Sequence, residues 1–138
     1  MINHTFVDGK NLKELIEGGV IKKEKLDSIV ERTKKGGAEI VKFLEKGSAY
    51  YAPAASGVEM AESYLKNLKK QLPCAVHLNG EYGAKDIYAG VPVIIGSGGV
   101  EKIIELELSL EEKENFKKSI EAVKDLFNAA KKIDTSLN

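Results

Sequence analysis

Residues 72–96 read LPCAVHLNGEYGAKDIYAGVPVIIG, and the period of this stretch decides the fold. Cys74, Val76 and Leu78 alternate with Ala75, His77 and Asn79, the two-residue repeat of a half-buried strand. Asn79-Gly80-Glu81-Tyr82-Gly83 has the composition of a turn. Ile87 to Ile95 predicts a second strand, in which Gly90 and Pro92 point to a bulge or an unpaired edge. Gly96-Ser97-Gly98-Gly99 is a second turn. Val100 to Leu108 predicts a third strand, with Ile104, Leu106 and Leu108 facing the core and Glu105 and Glu107 facing out. Short turns between successive strands make this an antiparallel meander over residues 72–108.

On either side the period is helical. Leu12, Leu15 and Ile16 share one face of a short helix over 11–17, closed by Gly18-Gly19. From 22 to 46, Leu26, Ile29, Val30, Thr33, Gly37, Ile40, Val41 and Leu44 recur at three- and four-residue steps. Gly36-Gly37 lies inside that pattern and predicts a kink. A helix over 51–70 carries the apolar line Ala54, Val58, Ala61, Leu65 and Leu68. Ser109 and Glu112 have capping-box spacing and open a last helix over 110–132. Its stripe is Phe116, Ile120, Val123, Phe127 and Ala130, with Leu126 and Ile133 alongside. Residues 1–9 and 134–138 are poorly patterned; His4, Phe6 and Val7 predict at most a short extended piece, and the tail is expected to fray. Helices, one antiparallel sheet and a closing helix give an α+β class.

The chain has 138 residues, so one domain over 1–138 is expected. Lys plus Arg equals Asp plus Glu, which leaves no electrostatic footprint for nucleic acid or a membrane surface. With Cys74 as the single cysteine, an internal disulfide is excluded and a reducing compartment is expected. No apolar run is long enough to span a bilayer, and the N-terminus lacks a signal-peptide pattern. These features fit a cytoplasmic protein.

The run GSAYYAPAAS, residues 47–56, has no formal charge in a chain that is 30% charged. Gly47 suits the left-handed end of the preceding helix, Ser48 can cap the next one, and Pro53 falls in that helix's first turn. The small residues Ala52, Ala54, Ala55, Ser56 and Gly57 allow close approach to the helix backbone. One reading is tight helix packing, with Tyr50 and Tyr51 as anchors; the other is a helix start that walls a pocket for a flat ligand.

Chemistry carried by the residues alone is sparse. His4 and His77 are far apart and read as ordinary packing or surface histidines. Cys74 and His77 are three apart on one strand and therefore face opposite sides, which excludes a nucleophile pair. The glycine-rich turn at 96–99 has no following Lys-Ser/Thr and reads as a hairpin rather than a phosphate cradle. Arg32 is the only arginine; with Glu31, Lys34 and Lys35 it reads as part of a solvated helix face. No metal-ligand spacing is present.

Four stretches together carry a resemblance: ERTKKGGAEIV (31–41), GSAYYAPAAS (47–56), the strand block 72–96, and GVEKIIELELS (99–109). They resemble the C-terminal domain of the NAD-dependent malate dehydrogenases of the bacterial type that is close to lactate dehydrogenase. The resemblance runs from about Gly9 to Ile133. It implies an enzyme that oxidises malate reversibly to oxaloacetate with NAD, in the tricarboxylic acid cycle, as a cytoplasmic homo-oligomer. It also implies a nucleotide-binding Rossmann domain that is not among these residues. The family's catalytic histidine, in a G-H-G-D motif, its partner aspartate and its substrate-binding arginines have no counterparts here. The segment MINHTFVDGKNL matches the family only at Val7, Gly9 and Leu12, and Met1 is expected to be a start codon of an excised piece or a shortened gene.

By position, the resemblance puts Ser48 and Ala49 in the wall of the substrate pocket and Pro53 against the nicotinamide ring. Lactate enzymes tend to carry threonine where this chain has Ala49, which points to the malate branch. No catalytic residue and no metal ligand is carried over, and the chain alone is expected neither to bind NAD well nor to turn over malate. The alternative is a non-catalytic oligomerisation or binding module derived from the same domain. Apolar surface at Ala52–Gly57 and around Ile87, Tyr88 and Val93 is expected to drive self-association.

Overall fold

The computed structural model describes residues 4–137. Met1, read above as a start codon, lies outside them. The chain divides into two compact units, Met1–Gly57 and Val58–Asn138.

The first unit opens with a two-stranded hairpin, β1 (Phe6–Val7) and β2 (Lys10–Asn11), in which Phe6 pairs with Asn11 and Val7 with Lys10. Asp8 and Gly9 turn it, both with positive φ (49° and 77°). Asp-Gly supplies that conformation, and the twist of such a turn matches that of the strands. Asn11 then caps α1 (Leu12–Glu17), its Oδ1 accepting from the Lys13 N–H at 2.9 Å. The expected kink is present: α2 (Lys23–Lys34) and α3 (Gly36–Leu44) are separate helices that meet at Lys35. Leu12 and Leu26 are the buried apolar side chains of this unit.

Helix α4 (Tyr51–Leu65) begins in the first unit and ends five residues short of the expected limit. Asn67 and Lys69 have positive φ, 50° and 53°, which no helix accommodates. The expected apolar line is not the buried face. Val58 is 68% exposed and Leu65 and Leu68 are also exposed, whereas Ser63 is buried and Met60 half-buried. The reason is a polar anchor. The Ser63 hydroxyl donates to the Ile95 carbonyl at 2.7 Å and accepts from the Lys70 N–H at 3.1 Å, which turns that side of the helix inward.

The second unit is built on an antiparallel sheet in the order β3 (Lys70–Asn79), β4 (Lys85–Gly96), β5 (Gly99–Ile103). Leu78, Val91, Val93 and Ile95 form the core with Ile120 of α5 (Leu110–Ile133). Ile87 and Val93 are therefore core residues, not the outer face expected for them, because inward positions fall on every second residue of β4. Tyr88 does face out. The capping box of α5 is complete: the Glu112 N–H donates to Ser109 Oγ at 3.2 Å and the Ser109 N–H to Glu112 Oε2 at 3.0 Å. Phe116 and Ile120 pack on the sheet, while Leu126, Phe127 and Ile133 further along are exposed. The tail is not frayed at its start. Asp134 Oδ1 accepts from both the N–H and the hydroxyl of Ser136, at 2.9 and 2.6 Å, in a short turn over Thr135–Leu137.

Two strand expectations are corrected. First, β4 is the central strand, and Gly90 and Pro92 sit in register opposite Ala75 and Pro73 without a bulge; the irregularities lie at Leu78/Asn79 and Ile94/Ile95. The Ile104 N–H donates to the Pro92 carbonyl at 2.9 Å, so the polar side of Pro92 faces β5. Pro73 and Pro92 thus oppose each other at a position where an antiparallel ladder makes no bonds, and neither proline costs a β3–β4 hydrogen bond. Second, β5 ends at Ile103 rather than Leu108. Pro92 has no N–H to return to Ile104, and the ladder stops there. The alternation still holds: Ile104, Leu106 and Leu108 are half-buried and Glu105 and Glu107 exposed.

Candidate functional site

The neutral run lies at the end of the first unit. Helix α3 ends at Leu44 and is capped by Glu45, which takes positive φ (59°), so the chain leaves the helix two residues before Gly47. Gly47 itself has φ +97°, and a Cβ there would come within 3.0 Å of Tyr50 Cζ. The positive φ favours glycine; the exposed Tyr50 phenol end that lies over it is free to swing aside. Ser48 is not the cap: the Ala54 N–H donates to the Tyr50 carbonyl at 3.0 Å, and the first helical residue is Tyr51. Pro53 is in the first turn as expected, where no N–H is needed. Ser48 and Pro53 are exposed and Ala49 half-buried. Tyr50 and Tyr51 do not anchor packing; both are exposed, Tyr51 at 87%. The segment presents hydroxyl, methyl and ring surfaces with no charge, so it can shape a pocket but brings no charged group to it.

The titratable candidates His77 and Cys74 belong to the second unit. His77 is on the solvent side of β3, edge-on to Tyr88 with ring centroids 5.3 Å apart. Cys74 is buried on the other side, its thiol pushed up by desolvation and its sulfur 3.3 Å from Met60 Sδ. The pair cannot meet, as the strand period requires. The amides of the 96–99 turn are occupied by the chain's own acceptors: Ser97 N–H donates to Asn67 Oδ1 at 3.0 Å, and Gly98 N–H reaches toward Glu101 Oε1 at 3.5 Å. Among the described residues no cluster of three or more His, Cys, Asp or Glu side chains is disposed to hold a metal ion.

One constellation was not anticipated. Arg32 is on a solvated face, as expected, and is also paired: its Nε and Nη2 donate to Glu39 Oε2 and Oε1 at 3.1 and 3.0 Å. Seven residues separate the two, and only the break at Lys35 brings them together. The Gly36-Gly37 pair between them was the available signal.

The family described as lactate/malate dehydrogenase, alpha/beta C-terminal domain, matches residues 1–133. The chain belongs to that family. It is 63% identical over 134 residues to the malate dehydrogenase of Pelagibacter ubique (strain HTCC1062), covering 97% of this chain and 42% of that protein. It is 56% identical over 137 residues to the malate dehydrogenase of Caulobacter vibrioides (strain NA1000 / CB15N), covering 99% and 43%. Among solved structures it resembles the lactate dehydrogenase of Eimeria maxima with NADH and oxamate, at a TM-score of 0.92 and 41% identity over 98% of this chain and 42% of that one. It also resembles Cryptosporidium parvum malate dehydrogenase, at 0.91 and 39% identity over 96% and 42%. This lactate/malate dehydrogenase C-terminal domain therefore spans less than half the length of the relatives it matches, and corresponds to their C-terminal part.

Proposed function

We propose that this chain is the substrate domain of an NAD-dependent malate dehydrogenase. Ser48 and Ala49 wall the dicarboxylate pocket, and Pro53 lies against the nicotinamide ring. The observation that carries this reading is the 63% identity to a malate dehydrogenase along 97% of the chain. It is supported by the uncharged helix entrance at 47–53. Such a wall keeps water out and sets which face of the ring meets the substrate carbon. When NAD is bound, it supplies the hydride acceptor; this domain orients it. The proton acceptor and the carboxylate-binding cations come from the part of the enzyme upstream of these residues, as does the Rossmann domain that holds the nucleotide. The chain alone is inactive, and the complete enzyme is a cytoplasmic homo-oligomer. Exposed apolar side chains such as Phe43 and Val58, which a monomer would leave in water, favour that assembly.

The test is a hybrid in which this chain replaces the corresponding part of the Pelagibacter ubique malate dehydrogenase. The isolated chain should produce no NADH from malate and NAD, and the hybrid should. In the hybrid, Ala49→Leu should lower kcat/KM for malate by about ten-fold or more by filling the pocket. Pro53→Gly should raise KM for NAD more than KM for malate. A folded hybrid without malate activity, or one indifferent to both substitutions, would sink the reading.

A further inference from the structure

We propose that Arg32 and Glu39 are a clamp that fixes the angle of the α2–α3 elbow, and with it the direction in which the chain leaves α3 toward Gly47. Beyond one residue's backbone bonds, the elbow has little side-chain packing to hold it. Lys35 breaks the helix with φ −98° and ψ 0°; its N–H bonds back to the Arg32 carbonyl at 3.1 Å and to that of Thr33, and its own carbonyl accepts from the Glu39 N–H at 2.9 Å. A Cβ added at Gly36 or Gly37 would meet nothing within 4 Å, so no neighbour within the chain packs onto the bare backbone. Two successive glycines leave such a junction free to sample many angles.

The pair supplies the missing restraint. On a straight helix, residues seven apart stand about 10 Å apart along the axis, at 1.5 Å per residue. Here the guanidinium and carboxylate meet by two parallel hydrogen bonds of 3.1 and 3.0 Å, so they lie on the inside of the bend. The bend encloses an open groove of about 530 Å³, lined by Ile29, Thr33, Gly36, Ile40 and Phe43 beside the pair. Bidentate arginine–carboxylate geometry is the case in which an exposed ion pair restrains structure, because the planar fork fixes orientation as well as distance. A lysine ammonium is a point charge and would not fix the angle. The neighbouring Glu31 is already engaged by Lys34 at 2.8 Å, which leaves Arg32 to reach across the break. The guanidinium holds the Glu39 carboxyl below its ordinary range, in keeping with a formed pair. The clamp goes beyond the reading of the pocket wall and would stand even if Ser48, Ala49 and Pro53 lined nothing.

The experiment measures the angle directly on the 138-residue chain. Spin labels are placed through Ser28→Cys on α2 and Lys42→Cys on α3, with Cys74→Ala removing the native thiol. The parent should give one narrow inter-label distance. Arg32→Lys and Glu39→Gln should each broaden it roughly two-fold or more, and exchanging the partners, Arg32→Glu with Glu39→Arg, should narrow it again. If a single variant loses its helices, the parent decides alone: at about 1 M salt, where charges are screened beyond ~3 Å, its distribution should broaden. A parent that is already broad, equal widths in parent and variants, a swap that leaves the singles' broadening in place, or a width unmoved by salt would each overturn the clamp.

Discussion

The hydroxyl of Tyr82 takes the hydrogen-bonding place that Pro92 leaves vacant. Pro92 accepts from the Ile104 N–H at 2.9 Å but has no N–H to return, and Tyr82 Oη donates to the Ile104 carbonyl at 2.7 Å instead. The same hydroxyl accepts from the Leu106 N–H at 3.0 Å, and the Tyr82 N–H donates to Glu105 Oε2 at 2.6 Å. Its ring packs on Phe116 of α5, centroid to centroid at 5.1 Å. Tyr82 holds φ 53° to do this, a left-handed conformation that its contacts over-determine.

Removing the hydroxyl should expose the dependence. Tyr82→Phe keeps the ring and leaves the half-buried Ile104 carbonyl and Leu106 N–H without that partner. The expected loss is about 1–3 kcal/mol. Pro92→Ala restores an N–H facing Ile104, so it should cost less in the Tyr82→Phe background than in the parent. Urea denaturation of the four chains forms the cycle, and strict additivity would break the link between the two residues.

Ser63 is the buried polar anchor of α4, with 0% of its surface exposed. Ser63→Ala removes a donor to the Ile95 carbonyl and an acceptor for the Lys70 N–H. A loss of about 1–3 kcal/mol is expected in thermal or urea unfolding. Ser56, whose hydroxyl only returns to the Ala52 carbonyl one turn back, is the control; Ser56→Ala should stay within ~0.5 kcal/mol.

Val93 and Val58 separate core from surface. Val93 is 0% exposed at the centre of β4, and Val58 is 68% exposed on α4. Val93→Ala should cost about 2–3 kcal/mol through lost burial and the cavity left behind. Val58→Asp should leave the isolated chain's unfolding midpoint nearly unchanged and reduce its self-association, read by sedimentation at micromolar concentration. Equal effects of the two on the midpoint would contradict the assigned faces.

Acid should loosen the β3–β4 turn through Glu81. Its carboxylate accepts from the Asn79 N–H at 2.7 Å, and that bond, followed by its own backbone N–H, holds its pKa below the ordinary 4.5. A depressed native value means the unfolded chain binds more protons between the two values. The contribution is therefore present above the ordinary value and is lost as pH falls through the native one. Glu81→Gln should lower stability at pH 7 and show less acid dependence, so that parent and variant converge at low pH. Urea midpoints from pH 7 to pH 3 check this, and parallel curves would refute it.

What the sequence by itself determined was what depends on neighbours along the chain. The capping box at Ser109 and Glu112, a break beside Gly36-Gly37, the alternation through Cys74, Val76 and Leu78, and the separation of Cys74 from His77 all follow from spacing alone, and the family was legible in whole stretches. What only the tertiary structure decided was which partner each polar group finds. Ser63 turns α4 so that its apolar line faces out, because a buried hydroxyl with two backbone partners outweighs exposed Val58 and Leu65. Pro92 could stand in a central strand because Pro73 opposes it and Tyr82 serves Ile104. Arg32 reached Glu39 only because the helix between them bends. Each of these rests on a hydrogen bond between residues distant in sequence or across a break, and local periodicity carries no record of such partners.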